Sequence, residues 1–263
     1  MILPGLVSVT FRALSPAEIC RLCERAKLRC IEWGGDVHVP PDGRSTPEVR
    51  RMSADAGLEI CAYGSYFRVG DSMDSLLRCM DAACALGAPL MRIWCGNNVI
   101  SANLSDGERA EIVDGLLAAC DAAKTRNLIL APEFHGGTLT DSLSSAERLL
   151  SETACADNLR FYWQPRWDWP AEETLRALAL VRPRMAHAHV FSWRHEGSNT
   201  IRLPLSEGEF LWKRALPLLD GHRMLLEFVQ NDDPNALLRD AETLRSWLGY
   251  NDMVILRTER ESL

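Results

Sequence analysis

The chain has 263 residues, of which 47% are hydrophobic and 25% charged, and its net charge is −7. This is the composition of an ordinary soluble globule, long enough for two modest domains or for one α/β barrel of about 250 residues. The acidic balance argues against a nucleic-acid partner, which calls for a basic patch, and no run of eighteen apolar residues offers a membrane span.

The first residues, Met1–Val7, lack a basic flank and a long apolar stretch, so no signal peptide is expected. Nine cysteines scattered over the chain point to a reducing, cytoplasmic setting. Cys20 and Cys23 are spaced as CxxC, but no second pair follows, and they read as helix-face residues.

Short apolar runs alternate with amphipathic ones from end to end. The first strand is expected at Gly5–Thr10. Ser15-Pro16-Ala17-Glu18 then supplies a cap, a proline at the first helical position and a capping-box glutamate. A second strand at Arg29–Trp33 leads through a Gly/Pro-rich loop to a helix opened by Thr46-Pro47-Glu48 and stopped at Gly57. Strand three is expected at Leu58–Tyr63, its helix at Ser72–Leu86, and strand four at Pro89–Trp94. Ser105-Asp-Gly-Glu108 boxes the longest helix, to about Arg126. Strand five (Leu128–Glu133), a helix over 142–153, strand six (Leu159–Gln164) and a helix begun by Asp168-Trp-Pro170 follow. Strand seven is Met185–Trp193. Ser206-Glu-Gly-Glu209 boxes a helix to Leu219, and strand eight, Arg223–Phe228, precedes a helix begun by Asp233-Pro234 that ends near Leu248.

Eight strand–helix units imply parallel pairing with crossover helices, and the count is that of a closed (β/α)8 barrel over residues 1–249, with 250–263 as a tail. A doubly wound dinucleotide fold would carry a Gly-rich first turn, and Phe11-Arg-Ala-Leu-Ser15 has none.

A barrel works at the C-terminal ends of its strands, and polar residues gather there: Glu32-Trp33, Arg92-Ile-Trp94, Glu133-Phe-His135, Gln164, His187-Ala-His189 and Glu227. His187 and His189 share one strand face, with His189 one layer nearer the mouth. Two glutamates and a histidine converging from strands five, seven and eight form either a metal site or a tight hydrogen-bonded cluster, because buried charges must be paired or ligated. Carboxylates with one imidazole and no thiolate suit Mn²⁺, Mg²⁺ or Co²⁺.

These residues resemble the xylose isomerase-like TIM barrels, the superfamily of sugar-phosphate isomerases and epimerases and of endonuclease IV-like proteins. The likeness runs from Gly5 to about Leu248. It is carried by Ile31-Glu-Trp-Gly-Gly-Asp36, Glu133-Phe-His135, His187-Ala-His189, Arg202-Leu-Pro-Leu205 and Glu227.

The resemblance to the ketose-epimerase branch implies a divalent metal on Glu133, Gln164, His189 and Glu227. Gln164 departs from that branch's aspartate and leaves the set one negative charge short. It implies Glu133 and Glu227 as acid and base in an isomerisation or epimerisation through an enediolate, with the metal as Lewis acid. His135 and His187 would bond substrate hydroxyls, and Arg202 would contact the substrate. Trp94 and Trp33 are either walls against a sugar or packing residues, and His38 is either a lid-loop group or a solvated loop histidine.

The implied partner is a small carbohydrate; a homo-oligomer is compatible with the sequence. The same scaffold supports a sugar-acid or inosose-type dehydratase, and a weakly catalytic sugar-binding barrel is the reading from another class. The nuclease branch, with more metal-site histidines and acids, fits poorly.

Overall fold

Each short apolar strand hands over to a helix that returns the chain to the start of the next strand. The computed structural model describes residues 2–166, 168–197 and 199–250. The barrel strands are β1 (Leu3–Val7), β2 (Cys30–Gly34), β3 (Glu59–Arg68), β4 (Leu90–Trp94), β5 (Ile129–Pro132), β6 (Phe161–Trp163) and β7 (Met185–Val190). After two further strands, β8 (Ser192–Glu196) and β9 (Asn199–Leu203), the barrel is completed by β10 (Arg223–Leu226). The barrel order is β5-β4-β3-β2-β1-β10-β7-β6, and every pairing in it is parallel. Single bridges, Leu130 to Leu159 and Glu133 to Tyr162, link β5 to β6 and nearly close the ring. Eight parallel strands with flanking helices make this a TIM barrel.

The helices are α1 (Pro16–Arg25), α2 (Thr46–Asp55), α3 (Met73–Leu86), α4 (Asp106–Lys124), α5 (Leu143–Glu152), α6 (Ala171–Val181), α7 (Glu209–Ala215) and α8 (Pro234–Trp247). Ser15 with Glu18 and Ser105 with Glu108 form reciprocal capping boxes at α1 and α4. Such a cap satisfies two otherwise orphaned amides. Gly87 ends α3 at φ 83°, a conformation glycine adopts without steric cost.

One face of each strand fills the barrel with a small cluster that includes Val7, Cys30, Leu90, Ala131, Tyr162 and Leu225. The other face packs on the helices in the main core, through residues such as Leu6, Ile31, Ile93, Leu130 and Leu226. All nine cysteines are free. No helix of the described residues is long and apolar enough to cross a membrane.

Three local expectations are corrected. β1 begins earlier and stops at Val7, because Ser8–Phe11 curls into a 3-10 turn in which Ser8 Oγ accepts from Gly34 N–H. The box at Ser206 does not form. Leu205–Gly208 is a 3-10 turn, fixed where Asp240 Oδ1 accepts from Leu205 N–H, and α7 begins at Glu209 without a side-chain cap. Strand seven stops at Val190 rather than Trp193, and an antiparallel hairpin, β8–β9, takes Ser192 and Trp193 together with the expected loop after them. Tyr250 donates to the Ile2 carbonyl at 2.6 Å; the rest of the expected tail, 251–263, lies outside the described residues.

Candidate active site

Strand ends β2, β4, β5, β6, β7 and β10 send Glu32, Arg92, Glu133, Gln164, His189 and Glu227 into one cluster. All but Gln164 are at most 5% exposed, so the charges have to settle among themselves. His189 is the hub. Three oxygens face its Nδ1: Glu133 Oε1 at 3.1 Å, Gln164 Oε1 at 3.3 Å and Glu227 Oε2 at 3.4 Å. Its Nε2 lies 3.5 Å from Glu32 Oε2. Burial alone would lower this imidazole, but Glu227, Glu133 and Glu32 outweigh that and lift it to about 10. In the metal-free protein His189 is therefore an imidazolium at neutral pH.

Arg92 is the second cation. Its Nε donates to Glu32 Oε1 at 2.9 Å and its Nη1 to Glu133 Oε2 at 2.7 Å. The pairing is sterically demanding: a Cβ on Gly64 would overlap Glu32 Oε1 and approach Arg92 Nη2 to 3.1 Å. Burial works against ionisation of Glu32 and Glu133, but Arg92 and His189 overcome it and hold both carboxyls well below their usual range. Trp94 Nε1 adds a 2.6 Å bond to Glu133 Oε2. Glu227 differs. Burial lifts its carboxyl to about 7, with His189 pulling it back and Glu133 pushing the same way as burial.

The cluster opens into a cavity of about 450 Å³ lined by Arg92, Trp94, Glu133, His135, Gln164 and Glu227. Aromatic walls come from Tyr66, Phe134, Phe191, Trp193 and Phe228, and Arg166 closes another side. Phe228, directly after Glu227, has φ 50°. That left-handed backbone, uncommon for a bulky residue, turns the chain sharply at the cavity wall.

Ligand atoms of Glu133, His189 and Glu227 lie within 4.8 Å of one another, a group that could hold a metal ion. The Gln164 amide donates through Nε2 to the Phe134 carbonyl at 2.9 Å, which leaves Oε1 turned to the cluster as a neutral donor. Three oxygens around one imidazole nitrogen are a donor set for a hard divalent cation, so these residues fit the group. The sequence profile of the xylose isomerase-like TIM barrel family matches residues 20–247. The chain belongs to the xylose isomerase-like TIM barrels.

Among relatives of this family, the chain is 25% identical over 229 residues to a 3-dehydroshikimate dehydratase of Bacillus anthracis, covering 80% of this chain and 76% of the relative. In fold it is similar to the probable 3-DHS dehydratase involved in petrobactin synthesis in Bacillus anthracis. The TM-score is 0.78 with 19% identity over 93% of this chain and 98% of that one. It is also similar to the 3-keto-D-glucoside 4-epimerase of E. coli, with a TM-score of 0.70 and 16% identity over 93% and 98% of the two chains.

The residues singled out in the sequence divide in two. Glu133, Gln164, His189 and Glu227 come together, and Trp94 and His135 line the cavity beside them, their rings 5.3 Å apart. His187, His38, Arg202 and Trp33 do not line it. His187 sits a layer deeper, edge-on to Tyr162, with its nitrogens facing the carbonyls of Ala186 at 2.7 Å and Cys61 at 3.4 Å; burial lowers it to about 4. A neutral imidazole so placed supports the barrel floor.

His38 is buried behind β2, not on a lid. Ser8 Oγ lies 2.9 Å from its Nδ1, and its Nε2 is 3.2 Å from the Leu14 carbonyl. The carbonyl can only accept, so Nε2 carries the proton. Arg202, on β9, pairs with Asp232 and lies 4.8 Å over the Phe228 ring, one residue removed from the cavity. Trp33 is fully buried and donates to Ser53 Oγ on α2 at 3.0 Å, so it belongs to the core.

Sequence reasoning gave no site role to Glu32 or Arg92, although both are polar strand ends. Nor did it single out Tyr66, Arg166 or Trp193, which reach the cavity from β3, a loop and the hairpin.

Proposed function

We propose that the chain dehydrates a small polyhydroxylated carbonyl compound, with Glu227 as the proton carrier. The observation that carries this reading is the unequal engagement of the two carboxylates at the cavity. Glu133 has both oxygens held by Arg92, Trp94 and His189. Among the described residues, the Glu227 carboxylate makes one ion pair, with His189 Nδ1. A carboxylate saturated with donors is a weak base, whereas one that is buried and lightly held both takes and returns a proton near neutral pH.

Glu227 would take the proton from the carbon beside the carbonyl, and the C–H electrons would move toward the carbonyl oxygen. Their return would expel the β-hydroxyl, which would take the proton back from Glu227 and leave as water. One group thus serves both halves, with no net proton consumed. Arg92 and His189 keep Glu133 ionised and fixed, and the aromatic walls limit water around the reacting carbons. A divalent cation held by Glu133, Gln164, His189 and Glu227 would supply Lewis-acid polarisation of the carbonyl. The 3-dehydroshikimate dehydratase relative supports dehydration.

Isomerisation or epimerisation is the second reading. Glu133 and Glu227 border the same cavity, and return of a proton from the Glu133 side would invert or relocate the centre.

The test is a panel of polyhydroxylated ketones and keto acids incubated with Mn²⁺ in D₂O. Proton exchange is followed by NMR and unsaturated product by ultraviolet absorbance. Dehydration gives absorbance, and epimerisation gives exchange without it. Glu227→Gln is expected to slow both by about 10²- to 10⁴-fold; an unchanged rate in that variant would remove Glu227 from the chemistry.

A further inference from the structure

Glu32, Arg92, Glu133 and His189, all buried, close a ring of contacts across the barrel. Glu133 Oε1 faces His189 Nδ1 at 3.1 Å, and His189 Nε2 faces Glu32 Oε2 at 3.5 Å. Arg92 joins the other two oxygens, its Nε donating to Glu32 Oε1 at 2.9 Å and its Nη1 to Glu133 Oε2 at 2.7 Å. Anion and cation alternate around the ring. Glu32 is the member that belongs neither to the candidate metal donors nor to the cavity wall, and its side chain is fully buried.

The ring gives the two nitrogens of His189 different partners. Nδ1 faces oxygens of Glu133, Gln164 and Glu227, and Nε2 faces Glu32. Turning the imidazole over about Cβ–Cγ would put carbon atoms in both places, so carboxylates on its two sides select one orientation. Tyr162 packs against the ring, with centroids 4.8 Å apart. A metal on Nδ1 needs that nitrogen's lone pair, so the proton that remains must sit on Nε2, where Glu32 accepts it. Each Glu32 oxygen has one task, Oε1 toward Arg92 and Oε2 toward His189. Gly64 leaves the room this needs, because a Cβ there would overlap Glu32 Oε1.

We infer that Glu32 is a positioning residue that holds His189 with Nδ1 toward the metal donors and the proton on Nε2. The inference rests on the metal-binding part of the proposed function and not on the reaction. A carboxylate behind a ligand imidazole fixes its orientation and tautomer, and losing it weakens metal binding by about 10- to 100-fold. Loss of a nearby negative charge would also weaken binding, so charge and placement have to be separated. Glu32→Asp keeps the charge on an arm one methylene shorter, which gives up a contact already 3.5 Å long. Gly64→Ala alters no charged residue and displaces the Glu32 carboxylate.

Metal binding without turnover tests the assignment on the full chain. Mn²⁺ affinity is read from the electron paramagnetic resonance of the free ion. The imidazole nitrogens are followed by nitrogen NMR of histidine-labelled protein loaded with Zn²⁺. Wild type is expected to show Zn²⁺ on Nδ1 of His189 and a slowly exchanging proton on its Nε2. Glu32→Asp and Glu32→Gln are expected to bind Mn²⁺ about 10- to 100-fold more weakly, and Gly64→Ala at least about fivefold more weakly. The Nε2 proton should exchange faster in all three. Thermal melting of metal-free protein checks that the variants fold, and Glu32→Asp carries the test alone should Gly64→Ala fail to.

Zn²⁺ on Nε2, no Mn²⁺ binding by wild type, or an affinity within about twofold of wild type in Glu32→Asp or in a folded Gly64→Ala would overturn the inference. A Glu32→Asp variant that binds normally while Glu32→Gln does not would assign Glu32 a charge role alone. Isotope exchange or unsaturated product alongside such a result would leave the reaction reading standing. Weakened Mn²⁺ binding in the variants, with neither exchange nor product from wild type, would do the reverse.

Discussion

Arg92 is the residue whose removal most directly tests how the charged cluster is held. It is 3% exposed, and its partners, Glu32 and Glu133, are 0% and 4% exposed. Replacing it by Met keeps roughly the same volume but leaves two buried carboxylates without their principal cation. Breaking a buried pair by deleting one partner costs about 3–5 kcal/mol, because the remaining charge stays desolvated. At about 2–4 °C per kcal/mol for a chain of this size, the melting temperature should fall by roughly 6–20 °C.

Urea unfolding of metal-free protein at pH 7 measures the cost. Arg92→Met/Glu32→Gln removes one of the stranded charges and should recover about half of the loss. The pH dependence follows from the same pairing. Glu32 and Glu133 have folded-state values held well below 4.5, so each contributes stability above about pH 4.5 that disappears as acid titrates it. The gap between wild type and Arg92→Met should therefore narrow as pH falls from about 5 to 3. A single variant within about 1 kcal/mol of wild type, or a gap that widens in acid, would refute this account of the cluster.

Mn²⁺ at a hundred times its dissociation constant should stabilise the protein by about 2.7 kcal/mol, with EDTA reversing the shift. Gln164→Asp should lower the metal-free melting temperature and tighten Mn²⁺ binding, and no change in either would remove residue 164 from the donor set. Because His189 holds its proton up to about pH 10, metal binding at neutral pH should release a proton, measurable with an indicator dye in weak buffer. Apparent affinity should accordingly rise with pH through this range, toward a limit of about tenfold per unit for one released proton. His38→Leu strands the Ser8 hydroxyl and the Leu14 carbonyl and should cost about 1–3 kcal/mol by urea unfolding. Burial lowers His38 below 6.5, so its contribution is present above that pH and falls as acid charges the unfolded chain first; the variant should lose this dependence.

Periodicity and capping carried most of the fold. Alternating apolar runs and the boxes at Ser15 and Ser105 are local signals, and they mark units whose parallel closure follows from topology. The hairpin β8–β9 also had a signal: Trp193, Ile201 and Leu203 alternate with polar residues around Gly197. Ser192 and Trp193 also continue the apolar run of β7, so the alternation alone does not mark where one strand ends and the hairpin begins. His187 and His189 show the limit from the other side. Their spacing puts both on one strand face, but only the depth of each within the barrel gives one a cluster of carboxylates and the other two backbone carbonyls. The Arg92–Glu32 pair spans 60 positions and becomes visible only once β2, β3 and β4 are in register, with Gly64 between them. Arg166 stands in an irregular segment, where no periodicity indicates which way a side chain points.

The cluster also gives Gln164 a physical reason. Glu32, Glu133 and Glu227 face two cations, Arg92 and the His189 imidazolium, so the metal-free set carries one excess negative charge when all three are ionised. Glu227, lifted to about 7, relieves that excess by holding its proton part of the time. A divalent cation that displaced the proton from His189 would bring the same set to neutrality, with Gln164 able to offer an oxygen and no charge. An aspartate at 164 would leave the metal-loaded set one charge negative and the metal-free set two, in a site where burial makes each uncompensated charge costly. As a ligand, the amide would supply an oxygen without adding a charge to a barrel that already contains Glu32 as a third carboxylate, and without metal it spares the cluster a further buried negative charge.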